Sequence, residues 1–271
     1  LPSQQPSELS HVQKEGAFEH SHSVSILPDT PLADILGKER LTINSFHHQA
    51  AHKLGEGLRI MAHADDGVVE EGVSSAPQSV TLMQPINLTR HKTGASTLCK
   101  HFGCDITVCD VGVNADIKEP KVLNKKIAYG TQNIAKGPAM KRAQAEQAIL
   151  IGYELAKATD ADVIGIGEMG IGNTTTSSAV LSVLLEEPVD AVTGRGGGIT
   201  DQSFLKKKQV IKDAIAINNP DKTDVIDVLA KVGGFDIAAM CGAFLGCAEK
   251  RCPVVIDGFI SAVAALCAYK L

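Results

Sequence analysis

The chain lacks the basic balance that nucleic-acid binding needs: its net charge is −5, its pI is near 6.0, and Lys206-Lys207-Lys208 is its one dense basic run. Nucleic acid is excluded as the expected partner. Long apolar runs are missing too. The longest, Ile237 to Ala248 and Phe259 to Ala268, fall short of the roughly 20 residues a membrane helix requires, and no charged stretch followed by an apolar one opens the chain. The expectation is a cytoplasmic protein with no membrane partner. Seven cysteines form no C-x-x-C pair and cannot all pair with one another, which argues against a disulfide framework and against structural zinc. No G-x-S-x-G or G-x-C-x-G turn occurs, so the usual signs of a serine or cysteine nucleophile are absent. Tryptophan is absent and aromatics make up only 4%, leaving the core to aliphatic side chains.

What is present divides near residue 65. Residues 1–59 carry six histidines (His11, His20, His22, His47, His48, His52), many polar residues and no long helical period. His48 and His52 are four apart, but no H-E-x-x-H arrangement or third ligand accompanies them, so no metal is expected. After residue 72, β-branched runs alternate with alanine-rich helical patterns, the signature of βαβ units around a parallel sheet. Strands are expected at Asp105–Val113, Asp162–Gly167 and Pro253–Ile256, the first and last of them buried. Helices are expected at Pro138–Lys157, Asn173–Leu185, Ser203–Ile217, Phe235–Lys250 and Gly258–Tyr269. Asn173 and Thr174 are the candidate N-caps of the second.

The most informative stretch is Gly165-Ile-Gly-Glu168-Met-Gly170-Ile-Gly172-Asn173-Thr174. A strand that runs through glycines into a helix with a polar first turn makes an anion site, because unpaired amides and the positive end of the helix dipole converge there. Three readings stay open: a phosphate or mononucleotide loop, a dinucleotide G-x-G-x-x-G fingerprint with Glu186, Glu187 or Asp190 as its acidic partner, and a plain strand-to-helix turn. A second glycine-rich loop, Thr193 to Asp201, follows a short β-like run and reads as a ligand cradle or as a flexible connector. One or two of Lys206, Lys207 and Lys208 can face a site, since successive helix positions diverge by about 100°. Asp257, after a strand, and Asp236, in Gly233-Gly-Phe-Asp, are candidate site carboxylates.

These residues resemble the nicotinate-nucleotide:dimethylbenzimidazole phosphoribosyltransferase family. The matching blocks are ADDGVVEEGVSSAPQSVT (64–81), QPINLTRHKTGAS (84–96), DVGV (110–113), NIAKGPAM (133–140), GIGEMGIGNTTTSSAV (165–180), AIAINNP (214–220), VLAKVGGFDIAAMCGAFLGCA (228–248) and PVVIDGFIS (253–261), all in family order. The resemblance implies an α/β fold with a Rossmann-like, mostly parallel sheet flanked by helices, a homodimer, and no metal or cofactor. It implies a transferase of the glycosyltransferase class in cobalamin biosynthesis. The 5-phosphoribosyl group of nicotinate mononucleotide would pass to 5,6-dimethylbenzimidazole, giving α-ribazole 5′-phosphate and nicotinate. It places Glu168, Gly170, Asn173, Thr174, Lys207 and Asp257 around the nucleotide and Gln84 at the base. The general-base glutamate of the family matches no residue here, so the expectation is a domain at 63–271 lacking its C-terminal part and impaired in turnover. Ala76, Pro85 and Gly197 depart from the family pattern, which puts the choice of base in doubt.

Residues 1–62 resemble a different family. Pro6-Ser-Glu-Leu-Ser-His11, His22-Ser-Val-Ser and Thr42 to Ala50 look like part of a class I glutamine amidotransferase-like γ-glutamyl hydrolase, without its cysteine, histidine or glutamate. The expected arrangement is an incomplete N-terminal α/β fragment joined to the larger domain between about Leu58 and Gly72. A γ-glutamyl hydrolase-like fragment and a non-catalytic nucleotide-binding remnant are the competing functional readings.

Overall fold

The computed structural model describes residues 22–25, 40–43 and 58–271. Two units are distinguished, Leu1–Leu54 and Gly55–Leu271. In the first, β1 (His22–Ser25) pairs antiparallel with β2 (Arg40–Ile43). The side chains of residues 1–59, including the histidine pairs, lie outside the described residues, as does most of the segment likened to a hydrolase.

The second unit is built on five parallel strands: β3 (Leu58–Ala64), β4 (Ile106–Gly112), β5 (Val122–Asn124), β6 (Ile164–Met169) and β7 (Val254–Ile256). Their spatial order is β5-β4-β3-β6-β7. Counted along the chain within this sheet, that order is third, second, first, fourth, fifth. The stretch from Leu58 to Gly72, where a junction was expected, forms the central strand and a 3₁₀ turn.

Period-two alternation on β3 assigns the faces. Ile60 and Ala62 meet α3 (Arg142–Ala158) and α8 (Phe235–Lys250). Met61 packs on the opposite side with Leu88 of α1 (Ser79–Thr89), Val108 and Val122, beside α2 (Gly94–Phe102). The helices α3 and α8 approach through glycine. A Cβ on Gly152 would come within 1.7 Å of the Ala239 carbonyl oxygen, and one on Gly242 within 1.7 Å of that of Ile149. Alanine at either position would push the backbones apart. The remaining helices are α4 (Asn173–Leu185), a single turn α5 (Val189–Val192), α6 (Asp201–Asn218), α7 (Val225–Val232) and α9 (Phe259–Lys270). Among the described residues no helix is long and apolar enough to cross a membrane.

Several expected elements are corrected. The helix expected from Pro138 begins at Arg142, because the amides of Ala139 and Met140 donate to the Lys231 and Ala230 carbonyls at 3.0 and 2.9 Å. Those bonds satisfy carbonyls at the end of α7 and draw the segment out of helical geometry. The β-like run before the second glycine loop is the helical turn α5, started by Pro188. Strand β7 is an exposed edge rather than a buried strand, with Val255 at 56% and Ile256 at 49% exposure. A run of apolar residues reports burial of a strand only where neighbours exist on both sides.

Candidate functional site

The strand order reverses between β3 and β6, and parallel sheets open a crevice at the carboxyl ends of the strands flanking such a reversal. β3 delivers Asp65 and Asp66 there, after a register shift between His63 and Ala64 that re-aims the strand end. β6 delivers Glu168 and the glycine turn that starts α4.

The glycines of that turn serve packing. Gly165 and Gly167 lie inside β6, which removes the dinucleotide reading, since that fingerprint follows its strand. A Cβ on Gly167 would sit 2.7 Å from the Met61 sulfur. Gly170 is pressed against the Ala64 carbonyl oxygen and the Asp236 carboxylate, at 2.5 and 2.9 Å from an added Cβ. Gly172, at φ +104°, is the N-cap and backs onto Val69 and Asp66.

The amides of this turn are mostly consumed by the protein. Gly170 N–H lies close enough to the Glu168 carboxyl to offset part of the rise in its pKa. Ile171 N–H donates to Thr81 Oγ1 at 3.2 Å, and the Asn173 and Thr175 amides to the Gly170 and Gly172 carbonyls. The fan of free amides expected here is therefore not formed. Nor do Asn173 and Thr174 cap the helix, because each side chain has a tertiary partner.

Asn173 faces an acidic pole. Its Nδ2 group donates to Glu168 Oε2 and, at 2.8 Å, to Asp236 Oδ2. Asp236 sits in the first turn of α8, fully buried, and also accepts from the Ile237 amide at 2.9 Å. Asp66, at 1% exposure, accepts from Thr176 Oγ1 at 2.8 Å and Thr131 Oγ1 at 3.4 Å. Burial, then the Asp236 charge, lifts the Asp66 carboxyl well above the usual range, so the two carboxyl groups resist being ionised together. Burial raises Asp236 to about 6 and Glu168 to about 8, the latter helped by Asp236 and Asp257.

Thr174 faces a basic pole. Lys207 on α6 is fully buried, and its ammonium donates to Thr174 Oγ1 at 2.8 Å and to the Gly194 carbonyl at 3.1 Å. Among the described residues no carboxylate pairs with it, and its third N–H has no acceptor. Desolvation lowers it to about 8. Lys206 is exposed and Lys208 pairs with Asp190 at 3.2 Å, so Lys207 alone of the three turns inward. The second glycine loop closes over it: Gly196, at φ +59°, would bring a Cβ 2.8 Å from Thr174 Oγ1 and 3.6 Å from Lys207 Nζ. The loop's conformation is held by Arg195, which binds Asp201 and the Ile199 carbonyl and lies 4.7 Å over the Phe204 ring.

The structure thus joins Glu168, Gly170, Asn173, Thr174 and Lys207 in one network. Asp257 is exposed at the end of β7, close enough to influence Glu168. Gln84 is half-buried on α1, one turn beyond Thr81, with Pro85 buried inside the same helix and Ala76 just before it. Sequence reasoning missed Asp66, Thr131 and Thr176. Asp66 had a signal, an acidic pair followed by glycine at a strand end, whereas the threonines had none.

Comparison with known proteins bears on this arrangement. A family model described as phosphoribosyltransferase matches residues 36–271. The chain belongs to this phosphoribosyltransferase family. It is 48% identical over 232 residues to the nicotinate-nucleotide–dimethylbenzimidazole phosphoribosyltransferase of Clostridium tetani, covering 84% of this chain and 64% of that protein. It is 53% identical over 215 residues to the enzyme of that name from Clostridium acetobutylicum, covering 78% and 61%. Among solved structures it resembles CobT from Thermus thermophilus, with a TM-score of 0.76 and 38% identity over 80% of this chain and 66% of that one. The chain spans about three-fifths of the length of the curated relatives it matches. A glutamine amidotransferase-like stretch finds no support in these comparisons, and the phosphoribosyltransferase match itself begins at residue 36.

Proposed function

We propose that this phosphoribosyltransferase-family chain binds nicotinate mononucleotide across the two poles and presents its ribose to a benzimidazole. The single observation that carries the reading is Lys207, a buried ammonium with no carboxylate partner among the described residues. Burying such a charge is costly unless a counter-charge arrives, and a phosphate at the glycine loop is that counter-charge. Among the described residues the Gly196 and Gly197 amides donate to no protein acceptor, which leaves them for phosphate oxygens.

Nicotinate mononucleotide is anionic at its phosphate and cationic at the ring nitrogen bonded to the anomeric carbon. Its polarity matches the site, with Lys207 and Thr174 at one end and Glu168, with Asn173 and Asp257, at the other. As the benzimidazole nitrogen attacks the anomeric carbon, the bond to nicotinate breaks, its electron pair returns to the pyridine ring, and the N–H proton on the other ring nitrogen of the base is released to solvent. Positive charge on the ribose then faces the Glu168 carboxyl group and favours its ionised form. Gln84 contacts the incoming base, Gly170 supports the nucleotide end through its amide on Glu168, and catalysis is largely positioning. The names of the relatives favour this substrate pair. Assembly as a homodimer belongs to the same reading, and sedimentation checks it.

Calorimetric titration tests the proposal. Saturable heat with nicotinate mononucleotide, and mass-spectrometric appearance of the ribosylated base when dimethylbenzimidazole is added, are expected. Folded protein giving no heat at millimolar nucleotide would overturn it.

A further inference from the structure

A fully buried carboxylate is retained only where its surroundings are arranged for it, and among the described residues Asp236 has no cation beside it. Its support comes from elsewhere. It stands at the N-terminal turn of the sixteen-residue helix α8, where the dipole favours negative charge, and it accepts from the Ile237 amide. Two loops from different parts of the chain give up side chains around it. An added Cβ on Gly170 would lie 2.9 Å from Asp236 Oδ2, and one on Gly234 would lie 2.7 Å from Asp236 Oδ1 and 3.0 Å from Asp66 Oδ1. Asp66 beside it is held in place by the two threonine hydroxyls.

The remaining Asp236 oxygen takes one hydrogen of the Asn173 carboxamide, and the other goes to Glu168. A planar NH₂ group shared by two carboxyl groups cannot rotate without losing both bonds. Asn173 is the first residue of α4, adjacent to the residue held by Lys207, so fixing its side chain also fixes the boundary between the two poles.

We propose that Asp236 is a positioning residue for the transfer site: cradled by Gly170 and Gly234, it locks the Asn173 carboxamide, whose second N–H sets Glu168 at the nucleotide. Asp236 touches no substrate in this account. Its chemical meaning rests on the phosphoribosyl-transfer reading, whereas the lock itself does not.

The lock is read by solvent exchange of the Asn173 side-chain NH₂ in ¹⁵N-labelled full chain, assigned by its loss in Asn173→Ser. In the unsubstituted chain, exchange about 10- to 100-fold slower than that of the exposed Asn219 side chain is expected, the scale of hydrogen bonds to charged groups. Asp236→Ala removes this protection, and Asp236→Asn, whose carboxamide oxygen still accepts, keeps it within about threefold. In transfer assays with nicotinate mononucleotide and dimethylbenzimidazole, Asp236→Ala lowers kcat by about 10-fold or more with KM nearly unchanged, and Asp236→Asn recovers most of it. Asn173 exchanging like Asn219, or staying protected in folded Asp236→Ala protein, overturns the proposal. Should Asp236→Ala not fold, the unsubstituted chain and Asp236→Asn still decide it. Absence of nucleotide binding by the unsubstituted chain would sink the transfer reading while the exchange signature continues to report on the lock.

Discussion

Asn173 and Thr174 are neighbours in one helical turn, yet they serve opposite poles. On the Asn173 side three carboxyl groups crowd together, with no cation beside them among the described residues. On the Thr174 side one ammonium is buried with no carboxylate among those same residues. Elsewhere in the same unit charges pair conventionally: Lys126 reaches Asp110 at 2.8 Å, and Lys212 reaches Asp190 at 2.6 Å. The contrast teaches that this crevice keeps its acidic and basic groups apart, at a cost in stability, and the proposed ligand carries both signs.

Breaking the basic pole should have the largest effect. Lys207→Met is expected to weaken nicotinate mononucleotide binding about 100-fold, because the buried phosphate loses a charged donor. The same substitution should raise the melting temperature of the free protein by about 2–4 °C, since it removes an uncompensated buried charge. Calorimetry and thermal melts check the two halves of this prediction. Lower stability in the variant would mean that Lys207 is structural.

The poles should also oppose each other in their response to pH. Glu168 has its pKa raised from 4.5 to about 8, so the unfolded chain gives up that proton first; the stabilisation is whole below pH 4.5 and is lost as pH rises to about 8. Lys207 is lowered from 10.5 to about 8, so its contribution is whole above pH 10.5 and is lost as pH falls to about 8. In the denaturant midpoints of the ligand-free protein Glu168 should contribute a falling limb up to about pH 8 and Lys207 a rising limb above it. The latter is superposed on the fall above pH 9 that the raised thiols of Cys109, Cys247 and Cys267 contribute, so each limb is read against the matching variant. Glu168→Gln flattens the acid limb and Lys207→Met the alkaline limb. A single variant that flattens both limbs would show that the poles are not separate.

Smaller effects sharpen the boundary. Gly196→Ala places a Cβ against Thr174 Oγ1 at a left-handed φ of +59° and should cost about 10-fold in nucleotide affinity. Gly194→Ala has open space and should be nearly neutral in the same titration. Asp66→Asn removes a carboxyl that burial and Asp236 hold well above the usual range while keeping an acceptor for the threonine hydroxyls, and should shift the melting temperature by no more than about 2 °C.

Local pattern was enough to place some of this architecture. Asn173–Leu185 and Phe235–Lys250 are helices over the expected residues, because glycine precedes each and no proline interrupts them. The alternation of strands and helices pointed to the parallel sheet, and periodicity limited the lysine run to one or two inward members. What failed depended on partners distant in the chain. Ala139 and Met140 left their helix for carbonyls of α7, and Asn173 and Thr174 left the capping role for Asp236 and Lys207. The glycine turn leaves an amide cradle, a dinucleotide fingerprint and a plain turn open in the sequence, and in the structure its glycines make room for Met61 and Asp236. A motif shows where the backbone comes close to something; only tertiary structure shows what that is.

The most direct measurement compares nicotinate mononucleotide with nicotinate riboside, which differs only in lacking the phosphate. Titrated into the folded chain, the mononucleotide should bind about 100-fold more tightly, and Lys207→Met should erase that advantage while leaving riboside affinity unchanged. Equal affinity for the two ligands in the unsubstituted chain would contradict the assignment of the Lys207 pole to phosphate.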